Sequence, residues 1–404
     1  MADRVTVIGW DGSPLTAAAR SALSAATLVA GAAHHLTLPE VPHTAERVRL
    51  GSLELAARRI AGHRGTAVVF ADGDPGFFGV VRTLRAPEHG LEVEVVPAVS
   101  AVAAAFARAG MPWDDAQVVV AHPRTLRRAV NVCRAHGKVA VLTSPGAGPA
   151  ELALLLGGIH RTFVVCEELG TDREQVSVLT SDKAADHTWR DPNVVIVIGG
   201  AGQAAAGESG WLFGQSAAQS AAQTADRGWA RPRADTREGE TAQLRAAQLA
   251  RLGPRAGDLV WDIGTGTGEV AVDAAALGAA VIAVDADPDA CAQVAAAARE
   301  RGVQLQVVTG RAPYVLEDLP EPDVVRVGGG GAEVVRAVAD RRPERIVSHA
   351  STRDEAEAIT RALTEHGYAV ECALLQSVGL DPRTWAEQDR SVVFLLSAQR
   401  PVTR

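Results

Sequence analysis

Hydrophobic residues in this chain fall into short runs rich in β-branched side chains, which alternate with stretches where alanine and leucine recur at helical spacing. Each run is apolar almost throughout, as expected of strands covered on both faces of a sheet. Seven runs predict strands in the first half: VTVIG, AVVFA, LEVEVV, AQVVVA, KVAVLT, RTFVVC and NVVIVIG. Seven more predict strands in the second half: DLVWDI, AVIAVD, LQVVTG, DVVRVG, RIVSHA, YAVECALLQ and SVVFLLSA. Helices such as LTAAARSALSAAT and DEAEAITRALTEHG separate them, so we expect an α/β protein with parallel or mixed sheets.

The two series of strands are separated by residues 200–229, where glycine, alanine, serine and glutamine dominate. This composition predicts a flexible linker, with an alanine-rich surface helix as the alternative for its central part. A length of 404 residues also predicts more than one domain. We therefore expect one domain over residues 1–203, a linker over 204–228 and a second domain over 229–404.

Composition and charge exclude several classes of protein. Hydrophobic residues make up 47% of the chain and the formal net charge is −8, which argues against a nucleic-acid binder. No apolar run approaches the roughly 20 residues that span a bilayer, and the N-terminus enters a strand at once, so neither a membrane segment nor a signal peptide is expected. The four cysteines lie far apart, which predicts no metal site and a reducing, cytoplasmic location. They are Cys133, Cys166, Cys291 and Cys372.

The segment WDIGTGTGEV lies between a predicted strand and a predicted helix, the context in which glycine-rich loops bind nucleotides. The dinucleotide fingerprint needs a third glycine where this chain has Glu269. Asp262 closes the strand before the loop, and its carboxylate would repel a pyrophosphate but suits a ligand with amino and sulfonium cations. The next strand ends in Asp285, placed to accept hydrogen bonds from ribose hydroxyls. These residues indicate S-adenosylmethionine.

This loop, the acidic end of the following strand and the GRAP segment after a third strand together resemble the class I methyltransferases. The resemblance implies a Rossmann-like, seven-stranded fold for the second half. It also implies a set of residues that bind the methyl donor. They are Asp262, Gly264, Thr265, Gly266, Thr267, Gly268, Asp285, Ala286, Arg311 and Ala312.

The first half carries an ordered series of loop motifs: GWDGSP, GDPGF, PAVSAV, AHPR, PGAGPAE and EELG. Ser100 in the third motif is placed to cap a helix after the strand EVEVV. The series resembles the tetrapyrrole methylases, class III enzymes with two α/β lobes and S-adenosylmethionine folded into the cleft between them. The first loop departs from that family, because it is short and contains Trp10. The resemblance implies methyl-donor contacts at Gly9, Asp72, Gly73, Asp74, Pro75, Val99, Ser100 and Ala101.

The union of these two methyltransferase types in one chain resembles the bifunctional methyltransferase–decarboxylases of cobalamin biosynthesis. The resemblance implies that the first half methylates C5 of a corrin precursor. The second half would methylate C15 and decarboxylate the acetate side chain on ring C. Each half would bind one S-adenosylmethionine without a metal, and the chain would form a homo-oligomer, a tetramer through its C-terminal half.

The substrate implied by this resemblance is a flat macrocycle with several carboxylates, so arginines are expected to converge on it. Arg124, which stands in a His-Pro-Arg sequence where the family has histidine–glycine–arginine, is one candidate. It is accompanied by Arg127 and Arg128. A second group comprises Arg311, Arg326 and Arg353. The glycine-rich turn Gly328, Gly329 and Gly330 would let the macrocycle approach the backbone.

Decarboxylation needs a donor or positive charge near the ring, because the released electrons must enter its conjugated system. Arg326 and His349 are the candidates for this catalytic role. His349 stands where the family's asparagine is expected, and a structural histidine is the alternative reading.

Three rival functions remain open at this point. The chain could methylate a different tetrapyrrole, or retain only one working half. A nicotinamide-dependent oxidoreductase is disfavoured by the missing third glycine and by Asp262. A noncatalytic scaffold gains no support from two separate binding motifs.

Overall fold

The computed structural model describes residues 4–199, 209–210, 215–216 and 241–401. Most of the predicted linker, residues 204–228, lies outside the described residues. Three large sheets, here termed the first, second and third sheet, follow one another along the chain. The α/β class predicted from the sequence is confirmed. Within the described ranges, no helix combines the length and apolar content needed to cross a membrane.

Five parallel strands form the first sheet: β1 (Arg4–Trp10), β2 (Leu28–Gly31), β3 (Glu46–Arg49), β4 (Ala67–Asp72) and β5 (Glu92–Val96). Their spatial order is β3-β2-β4-β1-β5. The sheet is accompanied by helices α1 (Ala17–Ser24), α2 (Ala33–Leu36), α3 (Leu53–Ala61) and α4 (Val80–Leu84). Val7 and Val69 belong to one buried cluster and Ile8 and Phe70 to another, because successive strand residues face opposite sides of the sheet. All five carboxyl ends lie along one edge, where ligands bind in such folds.

The second sheet is mixed and contains β6 (Gln117–Val120), β7 (Lys138–Leu142), β8 (Thr162–Glu167), β9 (Gln175–Thr180) and β10 (Asn193–Ile198). Their order is β6-β7-β10-β8-β9, and only β6 and β7 pair in parallel. The helices here are α5 (Ala101–Ala109), α6 (Leu126–Ala135), α7 (Pro149–Leu156) and α8 (Ser181–Ala185). The predicted cap of α5 is confirmed, because Ser100 Oγ accepts a hydrogen bond from the Ala103 N–H at 3.1 Å.

A short antiparallel pair, β11 (Ser209–Gly210) and β12 (Gln215–Ser216), precedes the third sheet. The third sheet contains β13 (Leu259–Ile263), β14 (Ala280–Asp285), β15 (Gln306–Thr309), β16 (Val324–Val327), β17 (Arg345–Ala350), β18 (Ala369–Leu380) and β19 (Glu387–Gln399). Its helices are α9 (Ala242–Leu252), α10 (Glu269–Ala276), α11 (Pro288–Glu300), α12 (Gly331–Asp340) and α13 (Arg353–Glu365). The order is β15-β14-β13-β16-β17-β19-β18, parallel except for the antiparallel β19 and β18. The predicted seven-stranded sheet is present.

All fourteen runs predicted as strands form strands, whereas β2, β3, β9 and the short pair β11 and β12 were not predicted. The four residues of β2 follow α1 within one alanine-rich stretch. Because the helical spacing of apolar residues continues through this stretch, no separate strand pattern can be seen. β3 contains two arginines and a glutamate, and β9 alternates exposed and half-buried residues at the sheet edge. Edge strands of this kind lack the continuous apolar run that marks buried strands.

Helix α6 joins the second sheet to the third. Asn131 on this helix is buried, and its Nδ2 donates to the Gly257 carbonyl at 3.0 Å and to Asp323 Oδ2 at 3.3 Å. Ala135 at the end of the helix belongs to the buried cluster of the third sheet. Arg161 adds a hydrogen bond from Nη2 to Gln304 Oε1 at 3.2 Å. The contact lies at the amino ends of β13 and β16, away from the loops at their carboxyl ends.

Candidate functional site

At the first sheet, the loops that follow β1, β4 and β5 meet in van der Waals contact around Gly9. A Cβ atom on Gly9 would overlap the Gly73 carbonyl oxygen and would lie 2.8 Å from both the Ala98 nitrogen and Pro75 Cδ. Backbone atoms of this kind cannot rotate away, so only glycine permits the three loops to come together here. The structure thus brings together three motifs that are far apart in the sequence.

Gly73 fixes the shape of the loop after β4. Its φ is +66°, its N–H donates to the Trp10 carbonyl at 2.7 Å, and a Cβ would lie 2.7 Å from the Ala101 nitrogen. Asp74 Oδ1 accepts from the Gly76 N–H at 2.8 Å. The predicted methyl-donor residues of the first half therefore share one edge, and Val99 is exposed there.

The first loop also contacts the EELG segment after β8. A Cβ on Gly12 would overlap the Gly170 carbonyl oxygen, and one on Gly170 would overlap the Asp11 carbonyl oxygen. Asp11 Oδ2 accepts from the Val99 N–H at 3.3 Å, which ties the loop after β1 to the loop after β5. Residues around the first and second sheets therefore enclose the same edge.

A cluster that was not predicted from the sequence lies beside these loops. His34 Nε2 and His35 Nε2 lie 2.8 Å and 3.1 Å from Asp72 Oδ1, at the carboxyl ends of β2 and β4. The Trp10 ring packs against both imidazoles, with centroids 5.8 Å and 5.6 Å away. Asp72 was expected to contact the methyl donor, and the structure pairs its carboxylate with the two histidines. The only sequence signal was a His-His pair just after an unpredicted strand.

In the third sheet, Asp262 is fully buried next to Arg326, its direct neighbour on β16. Asp262 Oδ1 accepts from Arg326 Nη1 at 3.0 Å, and Oδ2 accepts from Thr265 Oγ1 at 2.7 Å. Arg326 also donates to the Gly264 carbonyl at 3.1 Å. The expectation that Asp262 faces cations of a ligand does not match this placement. Its carboxylate instead lies beneath the glycine loop, together with Arg326, and stabilises the loop's shape.

The glycine-rich turn after β16 lies against the glycine loop after β13. A Cβ on Gly264 would lie 2.9 Å from the Gly329 nitrogen, and one on Gly328 would lie 2.5 Å from Arg326 Cζ. No atom lies within 4 Å of the position a Cβ would take on Gly329. Gly264 and Gly328 are therefore needed for close packing, whereas Gly329 faces open space.

Asp285, the last residue of β14, links the loops at the same edge of the third sheet by hydrogen bonds. Its Oδ2 accepts from the Gly266 N–H at 2.9 Å and its Oδ1 accepts from the Asp287 N–H at 3.0 Å. The Asp285 carbonyl accepts from the Gly310 N–H at 2.8 Å, which brings the GRAP segment alongside. The structure thus assembles the predicted loop, acidic residue and GRAP segment at one edge, with Ala286 and Arg311 exposed and Thr267 and Ala312 half-buried.

Helix α9 completes this site from its outer side. Arg245 pairs with Glu269, the residue at the place of a third glycine, and lies 3.4 Å from Asp273. Gln248 is fully buried, and its Nε2 lies 3.1 Å from His349 Nδ1. With Gln248 donating, the neutral imidazole carries its proton on Nε2. Glu269 therefore holds helix α9 in place through its ion pair with Arg245, a role that the loop motif alone does not predict.

Burial and the positive charge of Arg326 lower the pKa of His349 to about 4. At neutral pH this histidine is uncharged, accepts a hydrogen bond at Nδ1 and carries its proton on Nε2. In the unfolded chain this histidine has the ordinary pKa of about 6.5. Between about pH 4 and pH 6.5 the unfolded state therefore binds more protons than the folded state. Stability contributed by neutral His349 is therefore present above about pH 6.5 and is lost as the pH falls toward 4.

We expect the free energy of unfolding of the part of the chain that contains the third sheet to fall between pH 7.5 and pH 5. The fall should be about 2 kcal/mol larger in the wild type than in a His349→Asn variant. Asparagine keeps a polar partner for Gln248 but does not titrate. Urea unfolding followed by tryptophan fluorescence would measure the difference. Identical pH dependence in both proteins would contradict the depressed pKa.

The predicted arginine clusters do not form as expected. Arg127 donates to the Glu321 carbonyl at 2.7 Å, and Arg128 lies 3.8 Å from Asp258, so both belong to the contact of α6 with the third sheet. Arg326 is committed to Asp262, and Arg353 pairs with Glu357 on its own helix at 2.8 Å. The remaining candidates, Arg124 and Arg311, are exposed. Local sequence could not show that α6 docks on the other half of the chain.

Comparison with known proteins gives two family matches that together cover most of the chain. Residues 10–185 match the family model of the tetrapyrrole (corrin/porphyrin) methylases. Residues 238–388 match the model of the precorrin methyltransferase domain.

Individual relatives match most of the chain or one half of it. A precorrin-6Y C(5,15)-methyltransferase (decarboxylating) from a Sinorhizobium species is 32% identical over 360 residues, which span 86% of this chain and 84% of that protein. A cobalt-precorrin-7 C(5)-methyltransferase from Salmonella typhimurium is 33% identical over 196 residues, 46% of this chain and 92% of that protein. A probable cobalt-precorrin-6B C(15)-methyltransferase (decarboxylating) from Pyrobaculum calidifontis is 37% identical over 135 residues, 31% of this chain and 69% of that protein.

Proposed function

Because this chain belongs to the precorrin-6Y C(5,15)-methyltransferase (decarboxylating) family, we propose that it methylates precorrin-6Y at C5 and C15 and decarboxylates the ring C acetate, giving precorrin-8. It is an S-adenosylmethionine-dependent C-methyltransferase of cobalamin biosynthesis. The proposal divides the chain into a C5 unit over residues 1–203 and a C15 unit over residues 229–404. The existence of separate C5 and C15 enzymes among the relatives supports this division.

The observation that carries the proposal is the presence of two independent glycine cradles at carboxyl edges of parallel strands. One surrounds Gly9 and Gly73, and the other surrounds Gly264 and Gly328. In each, a methyl group in place of the glycine hydrogen would overlap backbone or a buried side chain. Loops packed this closely present backbone N–H and carbonyl groups to a ligand at short range. The two cradles fit two molecules of S-adenosylmethionine, one for each unit.

In the C5 unit, the loops around Gly9, Gly73 and Ser100 would hold the donor, and Pro75 rigidifies the middle loop. In the C15 unit, the rim formed by Gly266, Thr267, Asp285 and the exposed Ala286 would hold the adenosine part. Asp262 and Arg326 would act on the donor indirectly, since both side chains stabilise the loop from below. The sulfonium supplies an already activated methyl group, so these residues mainly need to align it with a nucleophilic ring carbon.

Decarboxylation leaves an electron pair that must enter the conjugated macrocycle, with help from a donor near the developing charge. Neutral His349 at the end of β17 meets this need, because Gln248 fixes its tautomer and leaves Nε2–H as a donor. Gly329, open to its surroundings, would let the flat ring approach the turn after β16. Arg124 and Arg311 are the exposed arginines that remain available for substrate carboxylates.

The remaining predictions stay proposals. A homo-oligomer, with a tetramer through the C15 unit, and a cytoplasmic location follow from the family resemblance and from cysteine usage. Methylation of a different tetrapyrrole, or loss of one working half, remains the alternative function.

Incubation of the purified full chain with precorrin-6Y and S-adenosylmethionine tests the proposed function. Mass spectrometry should show a product that has gained two methyl groups and lost one carbon dioxide. Labelled methyl donor would then place the new methyl groups at C5 and C15 by nuclear magnetic resonance. A product with a single methyl group would favour the alternative of one inactive half, and no product would favour a different substrate.

A further inference from the structure

Methylation at C5 must release a proton, which a base close to the methyl-donor loops would accept. Transfer to a bridging carbon that bears hydrogen breaks the S–CH₃ bond, forms the C–CH₃ bond and leaves the macrocycle with a positive charge. Loss of the hydrogen from that carbon returns the C–H electron pair to the ring. S-adenosylmethionine and substrate thus give S-adenosylhomocysteine, methylated macrocycle and one proton. A positioned base at the reacting carbon speeds such a step.

The cluster of His34, His35 and Asp72 is placed for this task. Asp72 ends β4 and directly precedes Gly73, whose loop packs against Gly9 in the proposed donor site. The two histidines follow β2, the neighbour of β4, so they lie on the same carboxyl edge of the first sheet. His35 is buried, whereas the His34 side chain is 42% exposed. His34 and Asp72, whose side chain is 50% exposed, are therefore the members of the cluster that a ligand and water can reach.

Hydrogen bonds determine which nitrogen of each ring carries the proton. The Ala32 N–H donates to His35 Nδ1 at 3.2 Å, so the neutral His35 ring keeps its proton on Nε2, which lies 3.1 Å from both Asp72 Oδ1 and His34 Nε2. His34 Nε2 lies 2.8 Å from the same carboxylate oxygen, which can only accept, so this nitrogen also carries a proton. The lone pair of a neutral His34 then resides on Nδ1. Within the described part of the chain, no hydrogen bond engages that nitrogen.

We propose that His34 is the base that accepts the proton released by methylation at C5, with Asp72 as the positioning carboxylate and His35 holding Asp72 in place. This inference rests on the proposed function. A carboxylate bonded to the far nitrogen of an imidazole fixes its tautomer and stabilises the imidazolium as it forms. Because His34 is partly exposed, the proton then passes to water.

The charges around His34 support this role. Burial raises the pKa of the Asp72 carboxyl, but the hydrogen bonds from His34 and His35 outweigh it and hold that pKa well below its usual range. Asp72 is therefore ionised at neutral pH. The titratable groups in contact with His34 among the described residues are His35 on its own helix and Asp72 from β4, while Trp10 from β1 is uncharged.

The same three side chains offer a nitrogen, a nitrogen and an oxygen within 3.1 Å of one another, a set that a divalent cation could also bind. The Ala32 hydrogen bond argues against that use. A cation on His35 Nε2 would move the ring proton to Nδ1, where it would meet the Ala32 N–H. The hydrogen-bonded arrangement is therefore favoured, and cation binding becomes an outcome to be tested.

The test uses the full chain and follows both methylations in the same reaction. For His34→Gln we expect the rate of C5 methylation to fall about 100-fold, with C15 methylation and carbon dioxide release unchanged. Added imidazole should restore part of the rate in His34→Ala. His43→Gln, on the exposed loop after α2, is the matched control and should behave as wild type.

With an active wild type, three results would overturn the inference. A normal C5 rate in His34→Gln would exclude a base role, and equal loss of both methylations would indicate a general defect. Stoichiometric Zn²⁺ binding by the wild type, lost in His34→Gln, together with loss of C5 methylation on chelation, would assign the cluster to a cation. If the wild type itself forms no C5-methylated product, the proposed function fails, and the inference fails with it.

Discussion

Replacing Gly9 with valine is expected to lower the rate of C5 methylation about 100-fold or more while C15 methylation and decarboxylation continue. A Cβ at this position would overlap the Gly73 carbonyl and crowd the Ala98 nitrogen, both rigid backbone atoms. The loops after β1, β4 and β5 would have to separate by roughly an ångström, which misaligns any ligand they hold in common. Product masses from the intact enzyme measure both methylations at once.

Gly51→Val is the matched control for this variant, because a Cβ on Gly51 would have no atom within 4 Å. It should keep both methylations. Circular dichroism would check that the first sheet remains folded in each protein. A Gly9→Val enzyme with C5 methylation within a few-fold of wild type would show that the three-loop cradle does not hold the donor.

Replacing Arg326 with methionine is expected to cost about 3–5 kcal/mol of unfolding free energy in the C15 unit. The change leaves the fully buried Asp262 carboxylate without its charged partner, while the hydrogen bond from Thr265 Oγ1 remains. The Gly264 carbonyl also loses a donor, so the glycine loop loosens. C15 methylation and carbon dioxide release should fall together, whereas C5 methylation should persist.

The double variant Asp262→Asn with Arg326→Met separates stability from catalysis. Removing both charges should recover most of the lost unfolding free energy, because no unpaired buried charge remains. Activity at C15 should stay low, since the loop still lacks its support. Arg353→Met, which breaks an exposed pair with Glu357, is the control and should change the free energy by less than about 1 kcal/mol. An Arg326→Met protein as stable as wild type would contradict the role assigned to the buried pair.

The sequence was informative where the relevant signal was local. The fourteen predicted strands each carry their own apolar run, and the glycine loops follow strands directly, so periodicity and turn chemistry were enough to locate them. The cap at Ser100 was predictable for the same reason. The edge strands β3 and β9 were missed because partial exposure removes the pattern that identifies buried strands.

The chemistry of single residues depended on neighbours that only the fold supplies. Asp262 was expected to meet a cationic ligand, and parallel pairing instead places Arg326 directly beside it. Similarly, the register of β1 with β4 sets Trp10 opposite Asp72 and brings that carboxylate to the histidines after β2. Arg127 and Arg128 were expected near substrate carboxylates, but docking of α6 on the third sheet engages both. Contacts across strands and between the two halves of the chain cannot be predicted from a local sequence pattern.

The stoichiometry of S-adenosylhomocysteine binding to the intact chain tests the two-site proposal most directly. Isothermal titration calorimetry should give two sites per chain for the wild type. Gly9→Val and Arg326→Met should each leave one site, and different ones. A single site in the wild type would contradict the proposal that both units bind a methyl donor.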